Sequence, residues 1–331
     1  MFWKEKRVLV TGATGFAGSW LAEDLVKQGA IVTVTARKNS PRLDSIKHLR
    51  DKIKISWGDL TLPETGREAV KDQDVVFDLA ANTQVPHARE HPIEAMDNNV
   101  KLAENTVEAL RKFNDSAFLV YSSTDKVYGE PKFLPITEEH PIIGKSPYDA
   151  SKIAAERFAY SYHATYGMKI AISRCCNIYG GRDANLLRVV PDFALALNEG
   201  KPPVIRGSGL HERDFIFVDD AVAGFMLIAE KQSASNGEVF NLGNNAPISI
   251  RKLAEEMVRI SGKKVNPVIL GKQTPGEIDV QYLAFEKARK TLGWHPAVPL
   301  EEGLKKSLEW YSQNAGWWKE VCRKTSEFYG F

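Results

Sequence analysis

Tyr148 and Lys152 stand four residues apart in Ser146-Pro147-Tyr148-Asp149-Ala150-Ser151-Lys152, where Pro147 is placed to start a helix. On that helix the two side chains share one face, a turn apart. An ammonium beside a phenol favours the phenolate, so a lowered tyrosine pKa is expected. Such a phenol can take the proton of a sugar or alcohol hydroxyl while hydride leaves the carbinol carbon for a nicotinamide. Upstream, in Tyr121-Ser122-Ser123-Thr124-Asp125-Lys126, the Thr124 hydroxyl can bind and steer the same alcohol. Asp125 and Lys126 offer an acid and an amine for a second proton transfer; the alternative is an exposed ion pair contributing about 0–1 kcal/mol. A Tyr-x-x-x-Lys pair alone is weak, because helices place such pairs by chance.

Those residues need a platform, and the N-terminus supplies its opening. Val8-Leu9-Val10-Thr11 reads as a buried strand, glycines follow at 12, 15 and 18, and helical patterning runs from Phe16 to about Lys27. A strand, a Gly-rich turn and a helix let bare backbone approach a pyrophosphate resting on the helix N-terminus. The spacing is GxxGxxG rather than GxGxxG, and an ordinary tight turn is the alternative. The second strand, residues 31–35, ends at Ala36-Arg37-Lys38. An acidic residue there would bind a ribose 2′-hydroxyl and favour NAD, whereas Arg37 can hold a 2′-phosphate and tilts the reading toward NADP. After a third strand at 53–57, Asp59 either accepts from an adenine amino group or caps the helix beginning near Pro63. After a fourth strand at 74–79, Ala80 and Ala81 leave room for a dinucleotide. A helix at about 93–112, a strand at 117–121 and the helix from Pro147 to about Tyr166 complete the alternation.

The alternation predicts an α/β fold: a Rossmann-type, doubly wound parallel sheet. Beyond about Gly180, proline and glycine become frequent and strands short. The expected division is therefore 1–180 for the dinucleotide and 181–331 for a smaller C-terminal α/β lobe, with some exchange of chain between them. Ligands bind outside the carboxyl ends of the strands, which puts the site in the cleft between lobes. The 331 residues are 43% hydrophobic and 26% charged with a formal net charge of +2, ordinary for a globular chain. That balance gives no reason to expect nucleic acid or a membrane surface as partner. No apolar run approaches the ~20 residues of a membrane span, and the N-terminus enters the first strand without a signal-peptide pattern. Cys175, Cys176 and Cys322 form no metal-binding spacing, so reduced thiols in a cytoplasmic protein and no metal are expected.

In this order the motifs resemble the extended short-chain dehydrogenase/reductase family, specifically its nucleotide-sugar epimerases and dehydratases, and most closely the CDP-glucose 4,6-dehydratases. The resemblance spans nearly the whole chain. It is carried by the Gly12–Gly18 turn, Gly58-Asp59-Leu60, Leu79-Ala80-Ala81, the Ser-Ser-Thr segment, Tyr148/Lys152, Asn177-Ile178-Tyr179-Gly180 and Arg213-Asp214-Phe215-Ile216. It implies a tightly bound NAD(P), with NAD and NADP both open, and a nucleoside-diphosphate sugar as substrate. Thr124, Asp125, Lys126, Tyr148 and Lys152 are the implied catalytic set. The cofactor would meet Gly12, Thr14, Gly15, Phe16, Ala17, Gly18, Arg37, Asp59, Leu60, Leu79, Ala80 and Ala81, with Tyr148 and Lys152. The substrate would meet Gln84, Asn177, Arg188, Arg206 and Arg213. In this family Asp-Lys after the threonine resembles the dehydratases of CDP-glucose, whereas simple 4-epimerases need only the Tyr/Lys pair and the Ser/Thr. The expected reaction is 4,6-dehydration of an NDP-hexose, with 4-epimerisation second and a non-catalytic dinucleotide sensor as a remote third.

Two departures stand out. Where many members have Arg-Pro-Gly-Asp, this chain has Thr274-Pro275-Gly276-Glu277, so that diphosphate arginine is lost or supplied elsewhere. Arg37-Lys38 conflicts with the NAD usage that the CDP-glucose resemblance implies. Relatives commonly dimerise through the Tyr148 helix and the long helix before the fifth strand, where Phe158 and Tyr162 would suit a contact. A helix from Leu300 (Leu304, Leu308, Tyr311) and an aromatic tail (Trp317, Trp318, Phe328, Tyr329, Phe331) are expected to pack on the second lobe.

Overall fold

Val8 and Val10 of β1 (Arg7–Thr11) face one side of a central sheet and Leu9 the other, and all three are fully buried. Burial on both faces marks parallel strands held between two layers of helices. The computed structural model describes residues 1–272 and 277–329. The remaining strands are β2 (Ile31–Ala36), β3 (Ile53–Trp57), β4 (Val75–Asp78), β5 (Phe118–Thr124), β6 (Ile170–Cys175), β7 (Asn177–Tyr179), β8 (Val204–Ile205), β9 (Glu212–Arg213), β10 (Phe215–Phe217), β11 (Val239–Leu242), β12 (Ile248–Ser249), β13 (Val268–Ile269) and β14 (Val280–Gln281). The main sheet runs β3-β2-β1-β4-β5-β6-β11 and is parallel throughout. Its order reverses beside β1, where a doubly wound sheet opens its ligand crevice. The expected Rossmann-type fold is the fold observed.

Helices α1 (Phe16–Lys27), α2 (Pro63–Ala69), α3 (Val85–Glu90), α4 (Pro92–Phe113), α5 (Pro147–Tyr166), α6 (Val189–Asn198) and α7 (Val218–Glu230) follow in chain order. Leu21 and Leu25 of α1 and Phe225 of α7 bury into the core on the Val8/Val10 face. Ala103, Val107 and Leu110 of α4, with Ala155 and Ala159 of α5, bury on the Leu9 face. Small residues on α5 bring it close to α4, and Tyr162 donates to Glu108 Oε2 across that contact at 3.0 Å. No helix of the described residues is long and apolar enough to cross a membrane.

One element differs from the sequence reading. β5 continues three residues past Tyr121, because Ser122, Ser123 and Thr124 pair with Ser173, Arg174 and Cys175 although their side chains are polar. β11, from the second half of the chain, adds the sheet's last strand beside β6. The outer lobe holds the short ladders β12-β9-β14, β10-β7 and β13-β8. The helix Leu300–Gln313 forms as expected and buries Leu304, Leu308 and Tyr311, and a further helix spans Ala315–Tyr329. Tyr311 donates to the Gly180 carbonyl at 2.8 Å and Trp318 to that of Asp183 at 3.1 Å, so these aromatics brace the loop behind the cleft. Phe331 and the side chains of Phe328 and Tyr329 lie outside the described residues, as do Thr274, Pro275 and Gly276.

Beneath α5 lies a buried polar chain. Glu156, one turn beyond Lys152, accepts from Ser123 and from both Nε (3.2 Å) and Nη2 of Arg174. Arg174 Nη1 donates to Tyr128 at 2.8 Å, and Tyr128 donates to Asn241 of β11 at 2.7 Å. The Glu156 and Arg174 side chains are 1% and 4% exposed. Removing one partner leaves a buried charge uncompensated. Arg174→Met is therefore expected to cost about 3–5 kcal/mol in urea unfolding, and adding Glu156→Leu should recover most of it. A single variant within 1 kcal/mol of wild type, roughly the worth of a surface pair, would refute this.

Candidate active site

The carboxyl ends of β1, β2, β4, β5 and β6 open into one cleft of ≈ 1230 Å³, closed on its far side by the outer lobe. Every candidate site residue from the sequence lines it apart from Gln84. Gln84 is 3% exposed at the start of α3, between Thr83 and Val85 of the lining; its carboxamide atoms meet no hydrogen-bond partner among the described residues. The chain turns there through Asn82, whose Oδ1 accepts from the Gln84 amide at 3.2 Å.

At the adenosine end the turn is built for close approach. Gly12 has φ +68°, and a Cβ there would stand 2.8 Å from the Leu79 carbonyl oxygen; a Cβ on Gly18 would strike the Gly12 carbonyl. Gly15 begins α1 with no capping side chain, so the first-turn amides of α1 are available to a diphosphate. Thr11 accepts from the amides of Leu79 and Ala80, both at 3.1 Å, which pins the β4 end against the turn. Thr14, Phe16, Ala17, Leu60 and Ala81 complete this wall. These residues fit a dinucleotide. Arg37 stands 3.7 Å from Asp59 Oδ2, at the rim with Ser40 and Arg42. Asp59 Oδ1 holds the Thr61 amide (2.9 Å) and hydroxyl (2.8 Å), so it shapes the turn before α2 rather than capping the helix itself.

The reacting end sits on α5. Ser146 and Asp149 form a reciprocal capping box, with Asp149 N donating to Ser146 Oγ at 3.1 Å and Ser146 N to Asp149 Oδ2 at 3.0 Å. That box and Pro147 set the first turn, from which Tyr148 and Lys152 face the cleft. Lys152, 4% exposed, donates to the Ser122 carbonyl (2.8 Å) and the Tyr121 hydroxyl (3.2 Å). Two of its three N–H donors are thus engaged by described residues, which leaves one for a ligand acceptor in the cleft. Burial lowers the Lys152 amine from 10.5 to about 8, while Asp78 and Glu156 act to raise it. Asp78 lies on the neighbouring β4, and burial pushes its carboxyl up to about 6.

The phenol departs from expectation. Burial raises Tyr148 to about 12, and the cation whose field pulls it down is Arg188 rather than Lys152. Lys152 is turned toward β5, so its charge is spent on Ser122 and Tyr121. A hydrogen bond with Thr124 also lowers Tyr148. Arg188, expected on a diphosphate, is paired with Asp183 Oδ2 at 3.1 Å and lines the cleft at the start of α6.

Asp125 and Lys126 follow Thr124 on a short 3₁₀ turn. The Asp125 side chain is 2% exposed, so the pair is no surface ion pair. Thr124 donates to Asp125 Oδ1 at 3.1 Å, Lys126 Nζ stands 3.6 Å from Oδ2, and Oδ2 makes no hydrogen bond to a described residue. Lys126 also donates to Gln281 Oε1, while Gln281 Nε2 donates to the Asp125 carbonyl at 3.0 Å. Sequence reasoning missed Gln281, which is 155 residues away and carries no local signal. It also missed Glu156, although Tyr148, Lys152 and Glu156 recur every four residues on one helix face.

On the outer-lobe side of the cleft Asn177 donates to the Asp214 carbonyl at 3.0 Å, Arg206 reaches the Leu186 carbonyl and Asp192 at 3.2 Å each, and Arg213 donates to the carbonyls of Glu212 (2.8 Å) and Asp279 (3.3 Å). Glu277 stands 3.7 Å from Arg213 and also lines the cleft.

A family model described as GDP-mannose 4,6 dehydratase matches residues 9–307. The chain is 32% identical to a putative UDP-glucose 4-epimerase of Methanocaldococcus jannaschii, over 93% of this chain and 99% of that protein. It is 31% identical to the dTDP-D-glucose 4,6-dehydratase of Homo sapiens, over 98% and 95% respectively. Among solved structures, the dTDP-glucose 4,6-dehydratase of Bacillus anthracis in complex with NAD superposes with a TM-score of 0.85 at 28% identity, covering 96% of this chain and 99% of that one.

The Lys152 shift predicts a pH signature. Between about 8 and 10.5 the folded ligand-free protein has released this proton while the unfolded chain still holds it, so stability rises with pH across that window. Urea midpoints of wild type should therefore climb relative to Lys152→Met from pH 8 upward. Parallel curves for the two proteins would overturn the assignment.

Proposed function

The chain belongs to the GDP-mannose 4,6-dehydratase family, and on that footing we propose that it is an NAD(P)-dependent nucleotide-sugar 4,6-dehydratase acting on an NDP-glucose, with CDP-glucose favoured. The observation that carries this reading is the buried Asp125 carboxylate, held by Thr124 and faced by Lys126, beside Tyr148 in the cleft. A bound nicotinamide supplies a hydride acceptor, a later hydride donor and, when oxidised, a positive charge that favours the phenolate of Tyr148.

Tyr148 takes the proton of the C4 hydroxyl as hydride leaves C4, with Thr124 orienting that oxygen. The resulting 4-keto group acidifies the C5 proton. Lys126 removes this proton, the C5–C6 double bond forms, and the C6–oxygen bond breaks as Asp125 delivers a proton to the departing hydroxyl. With hydride returned to C6 by a bound nicotinamide, Lys126 would give its proton back to C5, leaving an NDP-4-keto-6-deoxyhexose and water. Lys152 orients the ribose, and Arg188, Arg206 and Arg213 with Asn177 hold the diphosphate and base.

Residues 1–180 carry the cofactor and 181–331 the sugar nucleotide in this reading, with β11 crossing back to the first. The unpaired, buried Cys175, Cys176 and Cys322 are in keeping with a reducing compartment such as the cytoplasm. A homodimer through α4 and α5 goes with it, Phe158 and Tyr162 stacking at 5.0 Å along α5. At the adenosine end a cation stands where an acid would select the unphosphorylated ribose. NAD fits, and NADP gains a charge-assisted bond to Arg37.

Incubation with CDP-, dTDP-, UDP- and GDP-glucose in turn, followed by mass and NMR, should show loss of one water from one of them. Product of unchanged mass with inverted C4 would replace the dehydratase by a 4-epimerase. Asp125→Asn and Lys126→Met should each slow water loss by about 10²-fold. For the cofactor, Arg37→Ala should weaken NADP binding about 5- to 10-fold with little effect on NAD, as measured by calorimetry. Equal weakening of both would dismiss a 2′-phosphate contact.

A further inference from the structure

Gln281 is fully buried and comes from β14 of the outer lobe, yet it makes both side-chain contacts with the Asp125–Lys126 turn of the inner one. The Asp125 carbonyl can only accept, and Lys126 Nζ carries hydrogens to donate to Oε1 in either protonation state. A carboxamide meets both demands in one orientation alone, with Nε2 on the carbonyl and Oε1 on Nζ. A carboxylate would set acceptor against acceptor, and a hydrocarbon would satisfy neither.

The strand that bears Gln281 is itself firmly held. Gln281 lies in register with Arg213 of β9, its carbonyl accepts from the Asp214 amide at 3.2 Å, and Asp214 Oδ2 accepts from the Leu283 amide at 3.3 Å. Arg213 lines the cleft, and the charge of Asp125 acts on it. One two-strand ladder thus carries a cation facing the nucleotide end and the amide that grips the acid–base pair.

We propose that Gln281 is a positioning residue for the elimination step. By holding Lys126 through Oε1 and the Asp125 backbone through Nε2, it sets the amine and the carboxyl at the separation that removal of the C5 proton and departure of the C6 hydroxyl require. Through β9 it ties that geometry to the lobe that binds the nucleotide. This rests on the dehydratase reading. Gln281 does not line the cleft, and it takes no part in the C4 oxidation, which belongs to Tyr148 and Thr124.

The test separates the two half-reactions in wild type, Gln281→Met and Gln281→Glu, with CDP-glucose and dTDP-glucose as probes. Reduced nicotinamide is followed by absorbance in single turnovers, and water loss by mass. Both variants should form reduced cofactor within a few-fold of the wild-type rate but lose water about 10²-fold more slowly, with KM little changed. Competitive acylation, read by peptide mass, should show Lys126 labelled faster in Gln281→Met than in wild type, a readout independent of turnover. Variants that lose water at the wild-type rate, or that lose oxidation and elimination together, overturn the role of Gln281 while leaving the dehydratase standing. A wild type that only inverts C4 overturns the dehydratase and the elimination role together, and the acylation result then reports whether Gln281 holds Lys126 at all. Gln281→Glu is nearly isosteric and carries the same comparison if Gln281→Met does not fold.

Discussion

Burying charged groups between α5 and the sheet is the constraint on which the rest of this structure depends. A buried ammonium or guanidinium is tolerated only when its hydrogen bonds are met. Lys152 meets that condition at Ser122 and Tyr121, and Arg174 meets it at Glu156 and Tyr128. The partners of Lys152 lie on β5, and Arg174 of β6 reaches Glu156 of α5 and Tyr128 of the turn after β5, so satisfying them leaves α5 one position over β5 and β6. Tyr148 rides on that position. The capping box at Ser146 sets the angle at which the helix enters, and the buried chain beneath sets its depth.

The two lobes divide the chemistry unequally. The sheet side provides the dinucleotide turn, Thr124 and the Tyr148 helix, all near the carboxyl ends of strands. The outer side provides arginines at the nucleotide end and, through β14, the grip on Lys126. β11 belongs to the sheet and α7 packs on it although both lie late in the chain, so the chain crosses back from the outer lobe to the inner one. In the proposed dehydration one hydride leaves C4 and returns at C6, so the sugar must stay in register throughout.

The electrostatics of the pair at the centre differ from a simple account of neighbours on a helix. Four-residue spacing puts Tyr148 and Lys152 on one face, but spacing says nothing of where a long side chain ends. Lys152 reaches down to the strand, and Tyr148 feels Arg188 from α6 instead. Burial then dominates both groups and moves each toward its neutral form, phenol up and ammonium down. Cys175, also on the cleft wall, is pushed up to about 12 by the same cause.

Much of this was legible in the amino-acid order, because it depends on local pattern. The β-branched and apolar runs, the glycines at 12, 15 and 18, and Pro147 after Ser146 mark the strands, the turn and the start of α5. Nearly all the residues those motifs pointed to line a single cleft. The errors lay where contacts, rather than patterns, decide. β5 runs on through three polar residues because β6 pairs with their backbone. Gln281 has no motif at all. Backbone propensity and side-chain periodicity act over a few residues, so the chain alone determined the elements, their order and the chemical types brought to the site. The direction of Lys152, the field on Tyr148 and the hold of Gln281 on Lys126 join residues up to 155 positions apart. Only the packed tertiary structure, which buries those groups and makes each find a partner, decided them.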